Sequence, residues 1–156
     1  MKIFLLIISL TLSNGLYASQ FDTSIPMDQK HTQAFYINAN IAGSGATELM
    51  VDTGSGYLVL NETTLHSLKR KGHAAYLRQL QGIMADGTQK TVDVYQISSI
   101  KIGETCVLRN VEAAIFPGNT RQILGLSALQ KAAPFIFSIE PPELVLSGCN
   151  NTPAQS

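Results

Sequence analysis

The stretch "LMVDTGSGYLVL", residues 49–60, sets one carboxylate and two glycines among residues that otherwise favour strands. Leu49, Met50 and Val51 before the acid, and Tyr57, Leu58, Val59 and Leu60 after it, have the composition of buried β-structure. Asp52 therefore stands where a strand ends, and a carboxylate there is costly unless it is hydrogen-bonded or shares a proton. The residues that follow supply donors and space. Thr53 and Ser55 carry hydroxyls, while Gly54 and Gly56 permit a tight turn whose amides can approach the carboxylate. Such a loop presents an acid at the floor of a cleft. Alone it is weak evidence, since these are ordinary turn residues and Asp-Thr/Ser-Gly occurs by chance in a chain of this length on the order of one time in twenty.

Outward from this loop the pattern is mostly β. "AFYINANI", from Ala34, alternates Phe35, Ile37, Ala39 and Ile41 against polar or small neighbours, and "GSG" at 43–45 turns the chain into the strand that ends at Asp52. A short helix follows, with Asn61 as N-cap, Glu62 in its first turn, Leu65 and Leu68 on one face, and Lys69, Arg70 and Lys71 before Gly72. "HAAYLRQLQ", residues 73–81, is open between an extension of this helix and the base of the next hairpin. Asp86-Gly87 marks that hairpin, Gly103-Glu104 the corner of another, and "RQILGLSALQKAAPF" reads as an apolar strand, a glycine and a helical stretch from about Ser127 to Lys131. Two strands about Pro141-Pro142 close the pattern. Residues 19–34, polar and aperiodic around Pro26, read as a tether, and residues 150–156 as a tail.

Three elements in order, "DTGS" after hydrophobic residues, the "GIMADGT" hairpin some thirty residues later and "ILGLSAL" near the carboxyl end, resemble the retropepsin family of aspartic peptidases. The likeness extends to the exported, single-domain bacterial branch, in which a phrase like "NVEAAIFPG" precedes the glycine element. It covers about residues 33–149. The resemblance implies a closed, barrel-like β-domain over 35–149 with one or two short helices, active as a homodimer. It implies catalysis by Asp52 paired with its own copy, with Thr53 reaching the partner loop's backbone, Gly54 within the loop and Ser55 orienting the outer carboxylate oxygen. Ile83, Met84, Ala85, Asp86, Gly87 and Thr88 would form a flap over a bound polypeptide. Leu124, Gly125 and Leu126 would pack behind the catalytic loop, and strands near the two ends of the mature chain would interleave to hold the dimer. Neither a cofactor nor a metal is implied.

The remaining features bound these expectations. The chain has 156 residues, 45% hydrophobic and 14% charged, with zero formal net charge, which fits one globular domain and offers no electrostatic footprint for nucleic acid. Lys2, the apolar run Ile3 to Leu12 and the small residues up to Ala18 read as a signal peptide over 1–18, the run being too short to cross a bilayer, so the mature chain is expected to be exported, periplasmic or secreted, with no membrane span. In that setting Cys106 and Cys149 are expected to form one disulfide, two independent buried thiols being the alternative. His31, His66 and His73 have no metal-ligand spacing, and "GLSAL" lacks the second glycine of a serine-hydrolase elbow, leaving Ser127 as a helix cap. Asp86 reads first as a turn residue, and Asp93 and Glu112 as solvent-facing. A non-catalytic, exported peptide-binding or assembly protein on the same scaffold is the second functional expectation.

Overall fold

A computed structural model describes residues 21–30 and 33–149; the expected signal peptide at 1–18 and tail at 150–156 lie outside the described residues. The segment expected to be a tether instead supplies two strands, β1 (Thr23–Pro26) and β2 (Asp28–Gln29). Ile25 and Met27 are buried. The partner of β1 is Pro142–Leu146, more than a hundred residues away, so nothing in the local pattern announces the pairing.

The hairpin β3 (Phe35–Ile41) and β4 (Gly45–Val51) forms as its alternation requires, with Ile37 opposite Leu49 and both buried in the core. Tyr36, on the polar side of that alternation, is nevertheless buried, because β2 lies beside it and the Lys30 ammonium sits 4.8 Å from its ring centroid. β5 (Leu58–Asn61) then leads into α1 (Glu62–Arg70). The Asn61 side chain caps this helix by accepting from the Thr64 amide at 2.9 Å, and Leu68 anchors its inner face. Next come β6 (Ala74–Ile83), β7 (Gln89–Ile102) and β8 (Cys106–Phe116), followed by β9 (Ile123–Leu124), α2 (Leu126–Leu129) and a single 3₁₀ turn, Gln130–Ala132. The hairpin of β10 (Phe135–Ile139) and β11 (Pro142–Leu146) completes the domain.

Two sheets result. The larger runs β2-β3-β4-β9-β5-β8-β7-β6, and a further pairing of β3 with β7, Ala39 opposite Ile102, closes its middle strands into a barrel. The inward residues of that ring, among them Ile41, Leu58, Leu60, Ile97, Ile100 and Leu108, are removed from solvent. The smaller sheet, β1-β11-β10, joins the two ends of the domain within one chain.

The disulfide forms between Cys106 and Cys149, with Cα atoms 4.5 Å apart and a sequence separation of 43. It ties the start of β8 to the chain just beyond β11, where the Val107 amide also donates to the Cys149 carbonyl at 3.2 Å. Closing a loop of this length limits the unfolded chain by about 2–4 kcal/mol. The Cys106→Ala/Cys149→Ala double variant is expected to lose stability by about that amount. Urea unfolding of the two chains measures it, and equal midpoints would exclude a stabilising bridge.

Candidate active site

The Asp52 loop is built from two segments that cross. β9 runs parallel to β4, with Leu124 opposite Val51, and the Asp52 amide donates to the Leu124 carbonyl at 3.2 Å. Inside the loop the Gly54 amide donates to Asp52 Oδ1 at 2.8 Å and the Ser55 amide to the Asp52 carbonyl at 3.2 Å. The Leu126 amide then returns to the Ser55 carbonyl at 2.8 Å, and that of Ser127 to the Gly56 carbonyl at 3.1 Å. Gly125 makes this crossing possible: a Cβ there would stand 2.0 Å from the Tyr57 carbonyl oxygen and 2.7 Å from that of Ser55. Only glycine fits.

Two side-chain roles differ from expectation. The Ser55 hydroxyl donates to the Tyr57 carbonyl at 2.9 Å, so in the single chain it braces the loop's exit and does not touch the Asp52 carboxylate. Ser127 does not cap α2, whose N-cap is Gly125. Its hydroxyl accepts from the Leu58 amide at 2.7 Å and donates to the Glu112 carbonyl at 2.6 Å, filling a gap between β5 and β8. Thr53 is exposed beside the half-buried Asp52.

Above the loop stands the β6–β7 hairpin. Residues 73–81, left open by the sequence, are mostly its first arm, and the helix stops before them at Arg70 because Gly72 adopts a positive φ of 72°. Met84 and Thr88 close its tip, the Met84 amide donating to the Thr88 carbonyl at 2.8 Å and that of Gly87 to the Met84 carbonyl at 2.8 Å. Asp86 accepts from both the Thr88 amide, at 2.9 Å, and the Thr88 hydroxyl, at 2.7 Å. These bonds, the hydroxyl's first, hold its carboxyl below the ordinary 3.8. Asp86 is thus a turn residue.

Between loop and hairpin lie two connected cavities of about 340 and 300 Å³. Asp52, Gly54 and Ser55 form the floor of the first, Ile83, Met84 and Ala85 its roof, and Phe116, Thr120 and Ile123 one end. The second continues past Tyr57 under Leu80 and Gly82, against Val92 and Ala114. Apart from Asp52 the lining is uncharged. The sequence reading missed Tyr57, Val59, Leu80, Val92, Ala114 and Phe116. Except for Tyr57, which precedes β5, their common signal is strand phase, each lying on the cleft-facing side, but that side is defined only once the strands pair.

Glu112 also departs from expectation, since it is not simply solvated. Arg78 grips it with two hydrogen bonds, 3.2 and 2.6 Å, and donates a third, at 3.1 Å, to the Tyr57 hydroxyl. The guanidinium, chiefly by direct hydrogen bonding, holds the Glu112 carboxyl below the ordinary 4.5, and Glu112 in turn raises the Arg78 value. Asp93 is half-buried. Among the described residues no group of three or more His, Cys, Asp or Glu is placed to hold a metal ion, and no helix is long and apolar enough to cross a membrane. His73 is engaged with the Ser98 hydroxyl at 2.8 Å.

Comparison with known proteins agrees with this geometry. A family model described as aspartyl protease matches residues 37–128, so the chain belongs to the aspartyl protease family. In structure it is similar to a retropepsin-like aspartic protease from Rickettsia conorii, with a TM-score of 0.56, 21% identity, and coverage of 80% of this chain and 89% of that one. The fold is therefore the retropepsin-like one. No curated protein matches the chain.

Two outcomes follow. Gly125→Ala, whose methyl group meets backbone and cannot be accommodated by rotating a side chain, is expected to cost about 3 kcal/mol or more, read as a lowered unfolding midpoint or absent soluble protein. For Asp86, the depressed carboxyl favours the folded tip above its unfolded range near 3.8, and the contribution is lost as pH falls through the lower folded value. A carboxyl-carbon NMR titration should place Asp86 below 3.8 in the native chain and return it towards 3.8 in Thr88→Val.

Proposed function

We propose that the protein is an exported aspartic endopeptidase in which two chains each contribute Asp52. The observation that carries this reading is Asp52 itself, held by its own loop at the floor of an apolar cleft beneath a hairpin. Two carboxyl groups about 3 Å apart cannot both ionise, so the pair keeps one proton between them. The ionised member takes a proton from a water, the water attacks the scissile carbonyl, and the protonated member donates to the oxygen that becomes negative. An extended peptide would lie between floor and flap, its backbone hydrogen-bonded and its apolar side chains in the two cavities.

Pairing is supported by two surfaces. Exposed Thr53 is free to reach a second loop, and β10, at the edge of the terminal sheet, leaves Ile136 45% and Ile139 66% exposed. Open apolar edges of this kind join other chains. The disulfide supports export, since such bridges persist in oxidising compartments.

Cleavage of an unfolded protein substrate across acid to neutral pH tests the reading. Asp52→Asn should lower the rate by at least about a thousandfold, a statine inhibitor should block the native chain, and activity per chain should rise with concentration as dimers form. Equal rates for native and Asp52→Asn chains, or a strict monomer that cleaves, would sink it. Peptide binding without cleavage in either chain would favour the non-catalytic role.

A further inference from the structure

Arg78 stands apart from the rest of the flap. Among the described residues it is the one side chain of β6 that hydrogen-bonds, and each of its partners belongs to a different element: Tyr57 at the exit of the Asp52 loop and Glu112 on β8. A β-bulge puts it there. Pairing of β6 with β7 skips Leu77, so Tyr76 lies opposite Tyr95 while Arg78 lies opposite Val94. Side chains alternate along a strand, and without the extra residue Tyr76 and Arg78 would share a face. With it, Tyr76 packs edge-on against Tyr95, ring centroids 5.4 Å apart, and Arg78 turns to the side of Leu80 and Gly82, which roof the cleft.

The guanidinium is planar and its donors are fixed in a fork, so gripping Glu112 with two bonds sets the direction of the third towards Tyr57. Tyr57 lines the cleft. A bond from the flap arm to its hydroxyl therefore ties roof to wall at one end of the cleft. We infer that Arg78, clamped by Glu112 and bonded to Tyr57, is a positioning residue: a strut that fixes the height of the flap arm above the substrate channel. Its importance for global stability should be small, because the Arg78 and Glu112 side chains are 45% and 37% exposed and pairs of that exposure contribute little. The flap arm is different: β6 is the outermost strand of its sheet, and beyond Ala74, which packs against the core, its outer half is held by the β7 ladder and this strut.

The proposal rests on the endopeptidase reading for its consequence in catalysis, but not for its physical content, and the two are separable by experiment. Hydrogen–deuterium exchange on the full chain compares native protein with Arg78→Ala, Tyr57→Phe and the double variant. In Arg78→Ala, peptides from residues 74–83 should exchange about fivefold faster while those of β3 and β4 keep native rates. Tyr57→Phe should give a smaller rise confined to the same peptides, and adding it to Arg78→Ala should change nothing further, since its donor is already gone. Unchanged flap exchange in Arg78→Ala, a rise spread evenly over β3 and β4, or additive effects of the two substitutions would overturn the strut. In peptide hydrolysis, Arg78→Ala should raise KM by a larger factor than it lowers kcat, with Arg78→Lys in between; a loss confined to kcat would also overturn it. A native chain that cleaves nothing would overturn the proposed function and leave the exchange result to decide the strut.

Discussion

The structure depends on one close approach. Gly125 lies so near the carbonyls of Ser55 and Tyr57 that no side chain fits between them, and through this contact the Asp52 loop is fastened to the second half of the chain. A loop of glycines and small polar residues has little stiffness of its own. Here its carbonyls accept from the Leu126 and Ser127 amides, and its first amide is satisfied by Leu124, so its shape is imposed by a segment some seventy residues further on. The acid is consequently presented by a rigid crossing and not by a flexible turn.

The barrel makes the crossing possible. The pairing of β3 with β7 closes the ring, β4 and β5 leave it on either side of the loop, and β9 slots between them, parallel to one and antiparallel to the other. Ser127 extends the pairing of β5 with β8 at its start, its hydroxyl joining the Leu58 amide to the Glu112 carbonyl. The same β8 that carries Glu112 also carries Ala114 and Phe116 into the cleft wall, so the barrel and the channel share a strand. Function and core packing are continuous at this point: moving β8 would alter both.

The flap is held more lightly than the barrel. Its tip is ordered by Asp86 and Thr88, its arms by the ladder between β6 and β7, and its position over the cleft by the Arg78 fork. Much of β6 is exposed, and Ile83 is 76% exposed at the mouth of the cleft. A segment with few buried contacts opens at low free-energy cost. Under the proposed function, that suits a hairpin that admits a peptide and closes over it. The terminal sheet, by contrast, is secured by the disulfide and by burial of Ile25, Leu144 and Leu146.

Local sequence determined those features whose physics is local. Alternation specified β3 and β4, Asn61 and Gly72 bounded the helix, Asp86-Gly87 set the flap tip, and the order of Asp52-Thr53-Gly54, the hairpin and Leu124-Gly125-Leu126 marked the loop and the residues behind it. Tertiary structure decided what needs a distant partner. Residues 23–29 became strands because β11 and β3 were there to receive them; Arg78 faced the cleft because a bulge re-phased β6; Ser55 and Ser127 turned to carbonyls that the fold brought near. A polar side chain commits to the nearest acceptor in space, and that distance does not exist until the strands have paired.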